Sequence, residues 1–412
     1  MNRHTHISTG MGLAILALLA GSTHAATFRI EIDYMESANH SHRPSQLVVD
    51  AVVQMFACQG HTLIIDVDDA VPHYNVLQRN STFCYNSLFD YGGTPDSFLA
   101  IKDAYFDHEH SDGWHYCIFS HNYKDDECNV TSSSGLAERP GWNFTVSLGS
   151  FSNSIGTPFE QAATLAHEFG HNLGLTHCGS MNCSGSTSDS DWVGPYTPNL
   201  PSIMSYRYQL AGVRNNMLFN GLVPPEALFK DLDYSHGTLC GLNENSLNEV
   251  FGTCMRSVDW NCSVTLQSSV AQDINGDSDG WCGSSGNRTN LTDFNEWSTI
   301  SDPSLMPVAP PQEVSCITAE QWQRVKDGMR GGAGSPTLVV ESCISGRNVF
   351  IGAGLIPIGS CTFPYTSVQV AHNAAPNNSV FFFRSGVYDE PGTVTLNKPG
   401  LYMSNVGLTE VR

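Results

Sequence analysis

Thr157-Pro-Phe-Glu-Gln-Ala-Ala-Thr-Leu-Ala-His-Glu-Phe-Gly-His-Asn-Leu-Gly-Leu-Thr-His177 is the stretch that decides how this chain folds. Its beginning is a helix N-terminus: Thr157 supplies a capping hydroxyl, Pro158 occupies the first helical position and Glu160 follows the cap by three residues. A helix is expected from Pro158 to about Leu173. Residues four apart share a helix face, so His167 and His171 lie side by side, near enough to hold one metal ion. Gly174 then lets the backbone leave the helix, without which His177 could not face the same ion. Three imidazoles leave one tetrahedral position for water, whose pKa a bound zinc ion lowers from about 16 to about 7. Glu168, beside the first ligand, can take the proton of that water. Two histidines on an apolar helix are ordinarily core or surface residues. The cap, the glycine and the third histidine in register make the zinc reading much more restrictive.

Outward from this helix, Phe28-Arg-Ile-Glu-Ile-Asp-Tyr34 alternates as a strand, Ser45 to Cys58 has apolar residues at helical spacing, and His61 to Val67 is a second strand. That order is a βαβ unit, which calls for a mainly parallel sheet. Further strands are expected at Trp114–Ser120 and Asn143–Leu148, with a polar loop from Asn122 to Gly141 between them. From about 240 to 300 the chain is rich in Asn, Asp, Ser and Gly, with one short helix expected at Glu244–Phe251. Asp-Pro, Met-Pro and Pro-Pro steps and Gly331-Gly-Ala-Gly-Ser-Pro336 mark a linker over 301–336. Residues 337–412, rich in Val, Phe, Gly and Thr, read as a small all-β module without a clear internal repeat; Gly386-Val-Tyr and Pro399-Gly-Leu-Tyr402 faintly suggest stacked rungs, but chance similarity accounts for them better. The expected class is α+β, with a first domain over 26–300 followed by the β module.

The first 25 residues carry Arg3, an apolar run from Gly10 to Ala20 and small residues up to Ala25, the pattern of a cleaved signal peptide. An exported product is expected. The run is shorter than the roughly 20 residues that span a bilayer. Forty acidic against 19 basic residues give a net charge of −21, which repels phosphate backbones and excludes nucleic acid as an expected partner. Thirteen cysteines in an exported chain point to disulfides, and the odd count leaves at least one thiol unpaired or joined to another molecule. Proximity suggests Cys58–Cys84, Cys117–Cys128 and Cys178–Cys183.

The segment His167-Glu-Phe-Gly-His-Asn-Leu-Gly-Leu-Thr-His177 resembles the zinc signature of the metzincin metalloproteases, and Ser202-Ile-Met-Ser-Tyr206 resembles the methionine turn that follows it in that clan. The resemblance extends over roughly Thr27 to Tyr234. For the domain over 26–300 it implies a catalytic role, with a twisted mixed sheet and one long active-site helix. It implies that Met204 lies beneath the metal and that Tyr206, as in astacin-like and serralysin-like members, is a metal ligand or an oxyanion stabiliser. It also implies an extended peptide substrate aligned along an edge strand, taken to be Phe144–Leu148. Cys178 follows the third histidine where astacins have Glu and the snake-venom-like group Asp. The chain is therefore most similar to poorly characterised bacterial secreted metzincins, which share an Asp-Tyr-Met strand near the start and an Asp-Tyr-Ser, here Asp233-Tyr-Ser235. No latency cysteine is visible between Ala25 and the first strand.

The implied function is zinc-dependent endopeptidase; the alternative is a catalytically weak or inactive binding or adhesion protein on the same scaffold, which retention of Glu168 argues against. Two lesser features remain. Asp273, Asn275, Asp277 and Asp279 space oxygen side chains as a calcium loop does, although the twelfth position of an EF-hand would be Gly286, and an Asx-rich turn is the other reading. Asp107-His-Glu-His110, with Asp112 and His115, is a second metal candidate set against a solvated polar loop.

Overall fold

The computed structural model describes residues 26–179, 194–213, 232–237, 239–252, 258–261, 263, 265–275, 288–300 and 312–330. Beyond these it describes the backbone of five strands between 348 and 411, and residues 369, 373 and 395.

The class is α+β, with a mixed sheet. The βαβ unit is present as β1 (Thr27–Ser37), α1 (Gln46–Cys58) and β3 (Thr62–Pro72), with β1 and β3 parallel and a two-residue strand β2 (His40–Ser41) folded back antiparallel on the end of β1. Helix α2 (Phe98–Tyr105) precedes β4 (Trp114–Ser120), which pairs parallel with β1. β6 (Asn143–Ser147) pairs parallel with β4, and β5 (Gly135–Arg139) pairs antiparallel with β6. Strand side chains alternate between faces. In β4, Cys117 and Phe119 therefore join the core under α1 and α3 (Pro158–Asn172), whereas Tyr116 and Ile118 join a second core with Phe98 and Ile101 of α2. Aromatic packing locks α3 to the sheet and to α1: the Phe169 ring lies 5.6 Å from that of Phe56 and 6.1 Å from that of Phe28.

Four expectations are corrected. Phe144–Leu148 is not an edge, because β6 lies between β4 and β5. The next strand, β5, lies inside the stretch expected as loop; Gly135 and the polar run before it hid a five-residue strand. Glu244–Phe251 forms turns instead of a helix, since the buried Glu244 carboxylate accepts the amides of Ile274 and Thr289, and Asn248 accepts those of Val250 and Phe251. The local bonds of Asn248 compete with helix formation, and the long-range ones of Glu244 hold its carboxylate in the interior. Cys84 is bonded to Cys128, so neither Cys58–Cys84 nor Cys117–Cys128 forms; Cys58 is disulfide-bonded elsewhere and Cys117 is a buried free thiol. Cys178 is disulfide-bonded, while Cys183 lies outside the described residues.

The stretch expected as a linker contains ordered structure. Gln312–Ser315 is strand β9, antiparallel to β5, and Ala319–Arg330 is helix α4. Ile317, Trp322 and Val325 are buried in the main core. Two short strands, β7 (Leu242–Asn243) and β8 (Asn290–Leu291), pair in the Asn/Asp-rich region. In the C-terminal stretch β10 (Asn348–Ile351), β11 (Ser379–Phe383) and β13 (Gly400–Ser404) pair in parallel, as do β12 (Gly386–Tyr388) and β14 (Thr409–Val411). Parallel pairing is the pattern of stacked rungs. The partners are Ser379 with Gly400 and Gly386 with Thr409, not the two Gly-containing motifs with each other.

Candidate metal centre and cleft

Helix α3 begins as the sequence requires: Thr157 Oγ1 accepts the Glu160 amide, and the Glu160 carboxylate accepts the Thr157 amide at 2.7 Å. The reciprocal cap fixes where the helix starts and hence which face carries His167 and His171. Gly174 takes φ +94°, a left-handed conformation that a side chain rarely tolerates, and the chain turns so that His177 meets the other two. The three Nε2 atoms converge: His171 to His177 2.9 Å, His171 to His167 3.0 Å, His167 to His177 3.2 Å. Two of the rings are aimed from behind. Nδ1 of His167 donates to the Ile203 carbonyl at 2.7 Å, and Nδ1 of His171 to the Leu175 carbonyl at 2.9 Å. That tautomer leaves each Nε2 lone pair facing the shared point.

The arrangement fits a zinc ion. Neutral lone pairs this close repel unless a cation lies among them, and tetrahedral bonds of about 2.0–2.1 Å place ligand nitrogens roughly 3.3 Å apart. Burial depresses all three histidines, His167 to about 4 and His171 and His177 well below their ordinary value, which keeps them in the neutral, metal-binding form. Glu168 is fully buried; burial pushes its carboxyl well up, and Oε2 has no hydrogen-bond partner.

The residues of the methionine turn have definite work. The Ile203 amide donates to the Asp233 carbonyl at 2.9 Å and its own carbonyl accepts from His167, so the turn orients a candidate ligand. Met204 is fully buried, and a Cβ added at Gly170, between the two helical ligands, would lie 2.6 Å from its Sδ. Met204 thus packs directly on the turn of α3 that carries His167 and His171. Tyr234 donates to the Ala166 carbonyl at 2.6 Å, and Trp297 Nε1 donates to Asp233 at 2.8 Å, so Asp233-Tyr-Ser235 ties α3 and the turn to the region after 288. The Tyr206 ring lies 4.4 Å from that of His177, and its hydroxyl donates to the Ser315 carbonyl at 2.6 Å. Burial keeps that phenol protonated, as a donor.

Several participants were not singled out from sequence. Asn172, the residue after the second ligand, donates to the carbonyls of Glu138 and Asn143 and accepts from His115, joining α3 to β4, β5 and β6. Gly135 in β5 faces Glu168 so closely that a Cβ there would lie 2.0 Å from Oε1. Cys316 follows β9 into the centre. Its thiol donates to Glu168 Oε1, and its sulfur lies within 4.8 Å of ligand atoms of both His167 and His171. Its main chain continues the β5 ladder, the amide donating to Gly135 and to Ser133 Oγ, which in turn donates to the Cys316 carbonyl. The odd cysteine count was the signal for such a thiol; nothing in the spacing said which cysteine it was.

The second metal candidate, around His108, does not assemble. His108 stacks on Trp114 at 3.7 Å, His110 bonds Lys102 and the Trp114 carbonyl, and His115 bonds Asn172, so this set converges on no common point. Asp273 accepts the Asn275 amide at 3.3 Å, an Asx turn, and Asp277 and Asp279 lie outside the described residues.

No family model matches the chain, and no curated protein matches it. Among solved structures, archaemetzincin from Methanopyrus kandleri matches at 17% identity over 39% of this chain and 83% of that one, with a TM-score of 0.25. A likeness that distant carries no weight for function.

Proposed function

We propose that the chain is an exported zinc-dependent endopeptidase of metzincin type, and that segment 312–318 closes its cleft. The observation that carries this reading is the convergence of three buried imidazoles and an unpartnered carboxylate oxygen beside strand β5.

His167, His171 and His177 would hold the metal. Bound there, zinc supplies a Lewis acid that polarises a carbonyl and acidifies a water. Glu168 takes the proton of that water and passes it to the leaving amine. The backbone of β5 aligns an extended peptide by adding it as an antiparallel strand. Tyr206 donates to the substrate carbonyl oxygen as charge develops on it.

The chain's own segment already makes each of these contacts. β9 is antiparallel to β5, with Leu136 opposite Ser315 and Ala137 opposite Val314; Ser315 offers its carbonyl to Tyr206, and Cys316 sits on Glu168. A thiolate is also a good zinc ligand, so Cys316 stands where water must act. The segment is anchored by the Arg79–Glu313 ion pair and by Trp322, whose indole donates to Glu160 at 2.9 Å. This burial is the one feature that favours the second reading, a binding protein whose centre never opens.

The test is zinc content and casein cleavage of the purified chain, with and without chelator, before and after Cys316→Ala. One bound zinc at this centre and chelator-sensitive cleavage in the variant support the reading. A zinc-loaded Cys316→Ala chain that cleaves nothing favours the binding protein.

A further inference from the structure

A second cluster of histidines lies at the far ends of the parallel strands and shares no residue with the centre formed by His167, His171 and His177. His40 is in β2 and His42 just beyond it, His73 follows β3, and His121 follows β4. The register explains why they meet. Glu36 near the end of β1 pairs with Pro72 on one side, and Tyr34 with Phe119 on the other, so the residues leaving β3 and β4 emerge level with the β1–β2 turn. The His42 amide donates to the Met35 carbonyl and the His73 amide to the Glu36 carbonyl, which fixes both backbones.

The four rings form a tetrahedron. Their centroid separations are 4.6 Å (His40–His42), 4.9 Å (His40–His73), 5.2 Å (His42–His121 and His73–His121) and 5.4 Å (His40–His121 and His42–His73). One ring nitrogen from each lies within 4.8 Å of the others. Nε2 of His42 is 3.0 Å from Nε2 of His40 and 3.1 Å from Nδ1 of His121, near the roughly 3.3 Å that tetrahedral zinc–imidazole bonds of about 2.0–2.1 Å impose. Nε2 of His73 is buried and has no hydrogen-bond partner. Space has been kept for this arrangement, since a Cβ at Gly149 would lie 2.6 Å from the His121 ring.

We propose that His40, His42, His73 and His121 form a second, closed four-coordinate zinc site that ties the ends of β1, β3 and β4 together. Four protein ligands leave no position for water, so the site is structural where the first is open. Burial lowers His42 to about 3 and depresses His73 and His121, consistent with neutral ligands. Imidazole nitrogens without thiolate or carboxylate suit zinc and its neighbours in the first transition row, not calcium or magnesium. The trace of the site in the sequence is His40-Ser-His42: alternate residues of a strand face one side.

The full chain, stripped of metal and reloaded with zinc, should bind two equivalents. The His167→Asn/His171→Asn variant should bind one, and so should His42→Asn/His73→Asn. Cobalt(II) added to the first variant should give the intense visible d–d bands of a four-coordinate ion, and chelator should lower its melting temperature. One equivalent in the wild type, retained in His42→Asn/His73→Asn, overturns the proposal. So does a folded His167→Asn/His171→Asn variant that takes up neither zinc nor cobalt(II), or that takes up copper(II) alone. Should His42→Asn/His73→Asn fail to fold, the cobalt spectrum of the other variant decides by itself.

Discussion

The thiol of Cys316 donates to the carboxyl of Glu168, 148 residues earlier in the chain, beside His167 and His171. A base engaged by a thiol cannot serve a water, and a peptide cannot add to β5 while β9 is there. A hydrogen bond of this kind contributes about 0.5–1.5 kcal/mol, or roughly two- to tenfold. Cys316→Ala is therefore expected to raise kcat/KM on a fluorogenic peptide by about that factor over wild type. A variant no faster than wild type removes Cys316 as the block.

Tyr206 is predicted to serve the reaction through its hydroxyl alone, because the ring is already held by packing on His177 and Tyr196. In the Cys316→Ala background, Tyr206→Phe should lower kcat roughly 10²-fold, the usual loss for one donor to a developing oxyanion, with KM and zinc content little changed. A fall in zinc content would mean instead that the phenol helps hold the metal.

Gly170 and Met204 touch across the ligand-bearing turn, so their substitutions should not add. Gly170→Ala forces the added Cβ against Sδ and should cost about 1–3 kcal/mol, read as a lower melting temperature. Met204→Ala opens a cavity of its own. The double variant should be less destabilised than the sum, by about 0.5–3 kcal/mol in a double-mutant cycle. Strict additivity would show that the two do not press on one another.

The sheet also carries carboxyls that dislike charge. Asp33 is pushed up to about 8 and Glu31 to about 7, chiefly by burial, with Asp68 adding to both. A raised acid is protonated in the fold and ionised in the unfolded chain above about pH 4. The stability it contributes is complete below that pH and is lost as pH rises through 7 to 8. Melting temperature should fall between pH 5 and 8.5. Asp33→Asn, which keeps a partner for the Tyr116 hydroxyl, should flatten that fall; an unchanged pH profile would contradict the assignment.

Residues that act through local geometry were legible in the sequence. Thr157, Pro158 and Glu160 specify a helix start from within four residues, four-residue spacing puts His167 and His171 on one face, and Gly174 needs only its own φ. The alternation in Phe28–Tyr34 likewise carried β1 into place. Contacts between distant segments left no such trace. β5 lacks an apolar alternation long enough to read, and its neighbour β9 lies 173 residues further on, as the Arg139–Gln312 pair shows. Pro-rich flanks made 312–330 look like spacer, whereas Ile317 and Trp322 complete the core. Cysteine pairing failed for the same reason: proximity in sequence favoured Cys58–Cys84, but the fold brings Cys84 and Cys128 together.

Whether Glu168 is the base of a zinc-dependent peptide hydrolysis comes down to one comparison. Zinc content and casein cleavage are measured side by side for the Cys316→Ala chain and for the same chain carrying Glu168→Ala. Equal zinc in both is expected, with cleavage reduced about 10²–10⁴-fold when Glu168 is removed. Zinc-dependent cleavage that proceeds equally fast without Glu168 would contradict that role.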